Sequence, residues 1–423
     1  MSIILLRICI IAAFYLISLP FHIFAQGSWQ TRAPLPTPRT EVAATELNGK
    51  IYVFGGFLAN GSATNVVEVY DLASDRWTTA APLPAAIHHI GAAAVNGKIY
   101  AVGGLGSGFG PVNTLYEYDP ASNQWARKTN LPIARGAMAV TVADEKIYAI
   151  GGQKPNVVAA DDNAVYDSAI DSWKILAPIP TAREHVAAAT INGKVYVVGG
   201  RRGSLASNRR TLEVYDPTTD QWRSLPDMPT ARGGLAAAAL NGRLYVYGGE
   251  ANSGTFNQNE EFDPATETWK NLAPMPTARH GLGAVSFMGK IYVIGGGPQP
   301  GLFVSNVNEV FTPPTTAVAE PIAIIHNFRL FQNYPNPWKR SAQFSQTLIR
   351  YQLPRMSSVR VTIYNALGQI TRTLLPAQVQ TAGEYSLYWD GHGDHGKKAG
   401  NGIYFYRLEA ERQVAWRKLI VLD

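Results

Sequence analysis

The chain has 423 residues and a mass of 45.9 kDa, enough for two or three domains. Charged residues make up only 16% while glycine (39) and proline (27) are abundant, which predicts an all-β chain of short strands and turns; the 46% hydrophobic content excludes wholesale disorder. Residues 26–326 carry 23 Lys and Arg against 25 Asp and Glu, and residues 327–423 carry 13 against 6. The basic residues are scattered, so we expect no nucleic-acid partner.

The first element is an apolar stretch, Ile3–Ala25, with one positive charge near its start. It predicts a secretory signal peptide over residues 1–25, cleaved after Ala25. An uncleaved membrane anchor is the competing interpretation, against which Pro20 and His22 argue. The only cysteine, Cys9, lies in this stretch. The mature chain would therefore have no disulfide and no membrane span, and its stability would come from packing.

A repeat of about 48 residues follows the apolar stretch. Gly-Gly pairs and tryptophans recur with the same five steps of 48, 48, 48, 49 and 47 residues. The pairs are Gly55-Gly56, Gly103-Gly104, Gly151-Gly152, Gly199-Gly200, Gly248-Gly249 and Gly295-Gly296, and the tryptophans are Trp29, Trp77, Trp125, Trp173, Trp222 and Trp269. Six glycine pairs locked to six tryptophans indicate a repeat architecture, and both sets are expected to be structural.

Each repeat is typical of four antiparallel strands. A small-residue strand leads into a tight Asn-Gly turn, as at Asn48-Gly49, and a second strand, Lys50–Phe54, ends in the glycine pair. The third strand ends in an aromatic residue such as Tyr70, and the fourth carries the tryptophan. Four-stranded units at this period predict the blades of a β-propeller.

The spacing also predicts how the ring closes. The sixth repeat has no tryptophan seven residues after Phe311, whereas Trp29 precedes the first repeat. We therefore expect the strand around Trp29 to complete the last blade, giving six blades over residues 27–315 and leaving no exposed sheet edge. All length variation falls between strands two and three of each unit, so this connection is expected to lie on the surface and to carry specificity.

These units resemble the kelch repeat, in which a Gly-Gly doublet is followed by an aromatic residue with Glu two positions before it, and then by tryptophan. The Glu positions that match are Glu68, Glu213, Glu260 and Glu309. Tyr116 and Ala164 replace the Glu in two units, and Asp144-Glu145 and Met288-Gly289 replace Asn-Gly. The resemblance covers about two thirds of the chain.

Five arginines precede the innermost strands and are expected to ring the mouth of the channel. They are Arg39, Arg135, Arg183, Arg232 and Arg279, with Ile87 at the sixth position. One interpretation is a framework role, because arginine suits fixed multidentate hydrogen bonding. The other is a cationic mouth that binds carboxylates, sulfates or acidic peptides. The further candidates for ligand binding are His88, His280, Arg201 and Arg209.

Catalysis is the minority hypothesis. The copper radical chemistry known in kelch-like propellers needs a cysteine, which the mature chain would lack. Adjacent His88 and His89 would project to opposite faces of a strand, and no metal-ligand spacing repeats, so we expect no metal site and no cofactor. The alternative is a sugar mutarotase resembling the kelch-type sialic-acid epimerases, with Glu184 and His185 as acid and base.

A linker at residues 316–326 leads to a last domain, residues 327–423, with strands predicted at Thr347–Leu353, Val359–Asn365, Gly383–Trp389, Gly402–Glu409 and Val414–Leu422. Their polar and apolar alternation predicts a small immunoglobulin-like β-sandwich.

Five segments of this domain resemble the type A sorting domain of the type IX secretion system. They are Gln332–Pro337, Ile349–Pro354, Val361–Asn365 with Gly368-Gln369, Trp389–Gly391 and Gly402–Leu408. The resemblance implies export through the periplasm, then secretion or display on the outer cell surface, with the type IX machinery as a partner. The expected function is an exported binding protein for a glycan or a protein ligand.

Overall fold

The structure is a computed structural model, and it describes residues 26–156, 159–314, 328–340, 346–380, 383–394, 396–411 and 413–422. These residues form a ring of six antiparallel sheets followed by a β-sandwich. The predicted fold class, an all-β six-bladed propeller with an immunoglobulin-like sandwich, is confirmed. The predicted signal peptide (1–25) and linker (316–326) lie outside the described residues.

Each propeller sheet has four strands. From the inside outward they are Ala43–Leu47, Lys50–Phe54, Val67–Asp71 and Arg76–Thr79 in blade 1; Gly91–Val95, Lys98–Val102, Leu115–Asp119 and Gln124–Lys128 in blade 2; Ala139–Ala143, Lys146–Ile150, Asn163–Asp167 and Ser172–Leu176 in blade 3; Ala187–Ile191, Lys194–Val198, Leu212–Asp216 and Gln221–Leu225 in blade 4; Ala236–Leu240, Arg243–Tyr247, Asn259–Asp263 and Thr268–Asn271 in blade 5; and Gly283–Phe287, Lys290–Ile294, Asn308–Thr312 and Ser28–Thr31 in blade 6.

The burial of the strands follows from their composition. Strand two is a continuous apolar run because both of its faces are covered, and in Lys50–Phe54 only Lys50 is exposed. Strand one is built from small residues, which lets six strands approach one another around the channel. Strand four is the outermost and the most exposed, as in Arg76–Thr79.

The glycine pairs and the tryptophans hold neighbouring blades together. A Cβ atom at Gly55 would lie 2.4 Å from the carbonyl oxygen of Ile87, at the start of the next blade. The indole Nε1 of Trp77 donates to the Ala33 carbonyl at 2.8 Å, and the other five tryptophans each donate to an equivalent carbonyl in the chain that leads out of another blade. Both features bring the backbones of adjacent blades into contact.

The N-terminal strand closes the ring as the tryptophan spacing predicts. Ser28–Thr31 pairs antiparallel with Asn308–Thr312, and Trp29 lies opposite Phe311. The edge of Asn308–Thr312 is therefore covered by a strand from the other end of the propeller sequence.

The C-terminal unit packs a three-stranded sheet (Arg329–Leu330, Thr347–Leu353, Gly383–Trp389) against a five-stranded sheet (Trp338–Lys339, Gln413–Leu422, Gly402–Ala410, Ser357–Asn365, Ile370–Gln380). All five predicted strands are present, with ends within two residues of those expected. The long strand Ile370–Gln380 was not predicted, because Pro376 interrupts its apolar pattern. Proline is tolerated there because the strand forms the edge of its sheet.

Two of the connections between strands two and three contain short regular elements. The blade 5 connection forms a two-stranded hairpin (Glu250–Ala251, Gly254–Thr255), and the blade 4 connection contains a short 3₁₀ helix (Leu205–Ser207). Among the described residues, no helix is long and apolar enough to span a bilayer.

Candidate functional site at the channel mouth

A closed belt of backbone hydrogen bonds surrounds the channel where the chain enters each blade. We call it the channel belt: Glu41, His89, Ala137, His185, Gly234 and Gly281. Each member from His89 to Gly281 donates its N–H to the carbonyl of the preceding member, at 2.8 to 3.2 Å, and Val42 donates to Gly281. The belt thus ties all six innermost strands together.

All six belt residues have left-handed backbone conformations, with φ between 51° and 65°. This conformation suits glycine and is uncommon for residues with a side chain. At His89 and His185 this conformation interrupts the alternation of side chains along the chain and directs the side chain into the channel. Three non-glycine belt residues that can titrate therefore occupy a conformation that is normally disfavoured, and such positions concentrate at functional sites.

The belt glycine Gly281 makes room for a polar side chain. A Cβ atom at Gly281 would lie 2.6 Å from Oε1 of Glu41 and would overlap that carboxylate. A Cβ atom at Gly234 would lie 3.6 Å from Oε1 of Glu250, an ordinary van der Waals contact.

Glu41, His89 and His185 meet at the centre of the channel. Nε2 of His89 lies 2.9 Å from Nε2 of His185 and 3.3 Å from Oε2 of Glu41. Their side chains are only 7 to 11% exposed. We call these three residues the central triad.

A second layer surrounds the central triad. The Glu184 carboxylate contacts Nδ1 of His185 and accepts a hydrogen bond of 3.2 Å from Nε of Arg201. Arg201 also donates from Nη1 to Glu250 at 2.6 Å. His280 lies with Nε2 3.6 Å from both Glu41 and Glu250. Three carboxylates therefore share one guanidinium and one further imidazole.

Burial dominates the electrostatics of the cluster. It raises the pKa of Glu41 to about 7, and the charge of Glu250 acts in the same direction, whereas His280 and Arg201 oppose it. Burial also lowers the pKa of His89 to about 3, with a contribution from the positive charge of Arg201, and lowers the pKa of His185. Perturbed titratable groups gathered in a cleft indicate a functional site.

A cavity of about 130 Å³ adjoins the central triad. Its remaining wall comes from the residue after each belt position: Val42, Ile90, Met138, Val186, Leu235 and Leu282. The cavity has room for a few water molecules but is smaller than a sugar ring with its substituents. The site therefore suits a small ligand or an ion.

The five arginines expected at the channel mouth lie in the framework instead. Their side chains are 0 to 1% exposed. Arg232 is representative: it donates to the carbonyls of Gly248 and Gln258 and pairs with Glu260 at 2.6 Å. Arg39, Arg183 and Arg279 make the same pair with Glu68, Glu213 and Glu309, while Arg135 has carbonyl acceptors alone. The expectation of a ring of ligand-binding arginines is corrected, because every one of these guanidinium groups faces its own blade.

The other four candidates for ligand binding differ in their exposure to solvent. His88 and His280 are 0 to 1% exposed. His88 stacks on Phe57 with ring centroids 3.9 Å apart. Arg201 is held by two carboxylates, and Arg209 alone among the candidates is exposed on the loops.

Two expectations about the histidines need correction. His88 and His89 do not diverge across a strand, since both precede Gly91–Val95 and their Nδ1 atoms are in contact. Glu184 and His185, the possible acid and base, are in contact with each other. Glu41 was not predicted to be a site residue. A comparison of the repeats two positions after each arginine would have found it, because that position is titratable in three repeats of six.

The connections that surround the candidate site also carry the exposed apolar side chains of the propeller loops, since Phe109 contacts His88 and Gly301 contacts His280. Phe109, Leu302 and Phe303 are 51%, 46% and 52% exposed. They lie in the strand two to strand three connections of blades 2 and 6, and Leu302 approaches Gly61 in the same connection of blade 1. We call this region the loop face.

The fold and the repeat define a class of protein. The family model described as the KLHDC2/KLHL20/DRC7 Kelch-repeats domain matches residues 22–200 and 174–297. Together the two matches span more than half of the chain, which therefore belongs to the kelch-repeat family.

Two further comparisons bear on the fold. The model of the FlgD Ig-like domain matches residues 339–413. A solved structure of YjhT superposes with a TM-score of 0.60 at 15% sequence identity, covering 69% of this chain and 99% of that one. At this identity the likeness shows the fold alone. No curated protein matches the chain.

Proposed function

We propose that the protein is an exported binding protein whose glycan or protein ligand docks on the loop face. The observation that carries this proposal is the exposure of Phe109, Leu302 and Phe303, each about half open to solvent on the connections of blades 2 and 6, which flank the connection of blade 1. Exposed aromatic and aliphatic side chains grouped on variable loops mark interaction sites, because aromatic anchors contribute much of the energy of binding interfaces.

The positive charge of the blade 4 connection, across the ring from blade 1, narrows the class of ligand that the loop face can bind. Blade 4 contributes the exposed Arg202, Arg209 and Arg210 on its connection. A ligand that contacts both regions would present an apolar surface beside acidic groups, as an acidic peptide or an anionic glycan does.

The C-terminal sandwich supports export through its outer surface. Ile403, Phe405, Val414 and Trp416 point away from the core of the five-stranded sheet, and each is 37 to 47% exposed. Together with the order of the sorting-domain segments, this apolar face supports contact with the type IX secretion machinery and delivery to the cell surface or the medium.

An enzyme acting on acidic sugars is the weaker candidate. Such a reaction needs a cation free to bind the sugar carboxylate, and Arg201, the guanidinium closest to the central triad, is bound by Glu184 and Glu250. The cavity of about 130 Å³ is also small for the substrate.

Replacing the exposed apolar residues tests the proposed binding. Full-length protein and the variant Phe109→Ser/Leu302→Ser/Phe303→Ser are applied to a glycan array and to an immobilised peptide library. We expect specific binding by the wild type and at least a roughly tenfold loss in the variant, since tenfold corresponds to about 1.4 kcal/mol and three anchors are removed.

The matched control is Ile170→Ser/Ile175→Ser, which removes side chains 70% and 67% exposed away from the loop face. It should bind as the wild type does. Equal binding by all three proteins, or no binding in either library, would contradict the proposal. Anomer exchange of sialic acid catalysed by the wild type and followed by NMR would favour the enzyme instead.

A further inference from the structure

The spacing of the central triad matches the first coordination shell of a small divalent ion. The ligand atoms of Glu41, His89 and His185 all lie within 4.8 Å of one another, with separations of 2.9 and 3.3 Å where contacts form. Ions bound by histidine and carboxylate at about 2.0–2.2 Å place neighbouring ligand atoms about 3.0–3.5 Å apart. The three side chains therefore need little movement to share one ion.

The outer nitrogen of each triad histidine lies against a polar neighbour, and at His185 both contacting atoms are buried without any other hydrogen-bond partner. Nδ1 of His185 contacts Glu184, and Nδ1 of His89 contacts His88, whose ring also hydrogen-bonds to the backbone of Gly106. Protons on the two Nδ1 atoms leave Nε2 of each ring with a lone pair directed at the channel centre. Two lone pairs 2.9 Å apart repel unless a cation lies beside them.

The layer around the triad has the form found at metal sites. A carboxylate that holds the outer nitrogen of a ligand histidine fixes its tautomer and its orientation. Glu184 does this for His185, and Glu184 is held in turn by Arg201 at 3.2 Å and by the N–H of Gly203 at 3.1 Å. The ring orientation is thus set before any ion arrives.

The charge of the cluster calls for a cation. Glu41, Glu184 and Glu250 supply three carboxylates, and Arg201 supplies one permanent positive charge. Nε2 and Nδ1 of His280 lie 2.9 and 3.1 Å from the carbonyl oxygens of Gly301 and Gly297. The three carboxylates outnumber the one guanidinium, and a cation among buried carboxylates offsets their like charge.

We propose that Glu41, His89 and His185 bind a divalent first-row transition-metal ion, with an open coordination position facing the cavity of about 130 Å³. Two imidazoles and one carboxylate suit Zn²⁺, Fe²⁺, Co²⁺ or Ni²⁺, whereas Ca²⁺ and Mg²⁺ prefer oxygen ligands alone. The alternative grouping of Glu41, Glu250 and His280 is less suitable, because Nε2 of His280 is already bound to Gly301. Binding of the ion requires no ligand at the loop face, although Gly301 in the blade 6 connection contacts His280.

Metal titration of the purified full chain tests the site. The protein is stripped with a chelator, then titrated with Zn²⁺ and separately with Co²⁺. We expect one ion per chain by elemental analysis, a rise in melting temperature with Zn²⁺, and the visible absorption of protein-bound Co²⁺.

Three variants assign the ligands. His89→Ala/His185→Ala should lose stoichiometric binding and the thermal shift. Glu41→Gln keeps the side-chain shape and should also lose tight binding, so it tests the site even if the double variant fails to fold. Glu184→Gln, which alters the outer layer, should weaken Zn²⁺ binding by about 10–100-fold.

The matched control is His392→Ala in the C-terminal unit, where an exposed histidine lies 3.4 Å from Asp390. It should leave stoichiometry and melting shift unchanged. The proposal is overturned if the wild type binds no stoichiometric ion, as expected where one proton is shared between the two Nε2 atoms, or if Glu41→Gln and the double variant bind as the wild type does.

Discussion

At the residue scale, the arginine before strand one belongs to a cluster of three side chains. In blade 5, Glu260 accepts hydrogen bonds from Arg232 and from Thr230, at 2.6 and 2.7 Å. The same Thr, Arg and Glu combination occurs in blades 1, 4 and 6. In blade 3, Ile133 and Ala164 replace both partners of the arginine, and in blade 2 all three positions change, to Ala85, Ile87 and Tyr116. The Thr and Glu positions thus change together, and in blade 3 the arginine is retained with carbonyl acceptors alone.

Breaking the buried ion pair between Arg232 and Glu260 in blade 5 is expected to destabilise the protein. Glu260 is 1% exposed, so Glu260→Ala leaves the Arg232 guanidinium buried without its countercharge. Removing one partner of a buried pair costs about 3–5 kcal/mol, and we expect a loss of unfolding free energy near the lower end because carbonyl acceptors remain. Urea denaturation of wild type and variant measures it.

Two further variants separate this effect from a general loss of charge. Arg223→Ala breaks an exposed pair with Glu267 and should cost at most about 1 kcal/mol. Arg232→Ile/Glu260→Tyr reproduces the residues of blade 2 and should recover part of the stability, since a buried pair can be replaced by apolar side chains. A loss from Glu260→Ala no greater than that from Arg223→Ala would contradict the framework role.

At the element scale, the turn between strands one and two is the same in all six blades. Both central residues have positive φ, as the Asn-Gly pairs predict: Asn48 and Gly49 have 54° and 76°. Asp144 and Glu145 adopt the same turn at 47° and 60°, although neither is glycine. The packing of the blade therefore imposes this turn where the local sequence disfavours it.

A substitution in this turn is expected to stabilise the protein. Left-handed φ costs a residue with a Cβ atom about 1–2 kcal/mol, part of which is offset by the greater freedom of glycine in the unfolded chain, so Glu145→Gly should raise the unfolding free energy by about 0.5–1 kcal/mol. Glu145 is exposed, so no packing is lost. Thermal and urea unfolding provide the measurement.

The reciprocal substitution at the equivalent turn is the control. Gly193 has φ of 76° and open space around it, so Gly193→Glu changes conformational preference without a clash. It should lower the unfolding free energy by a similar amount. A stabilising effect of both changes, or of neither, would show that φ does not decide the stability of these turns.

At the scale of the whole molecule, the ring could be predicted from the sequence. Every interval within the repeat has a fixed length except the connection between strands two and three, and this regularity identified the six blades. The chemistry of the channel was harder to predict, since it depends on neighbours that lie 48 residues or more apart in sequence. Glu41 meets His89 and His185 only because three blades converge on one axis. The arginines were misplaced for a related reason: sequence gives the position of a residue before strand one, whereas the direction of its side chain is set by the carbonyls of the same blade.

Closure of the ring by Ser28–Thr31 makes the propeller complete without the C-terminal sandwich, because none of the described strands after residue 328 enters it. The sandwich contacts the propeller through Tyr334, whose ring lies 5.4 Å from that of Phe287 and against Gly49. Deletion of residues 327–423 should therefore leave a propeller that unfolds cooperatively in urea but, in the native host, accumulates in the periplasm. Fractionation and immunoblotting measure its location. Phe287→Leu, which removes the ring contact and leaves residues 327–423 unchanged, should be exported as the wild type is. Normal export of the deletion would refute the sorting role, and a deletion protein that fails to unfold cooperatively would show that the ring needs the sandwich.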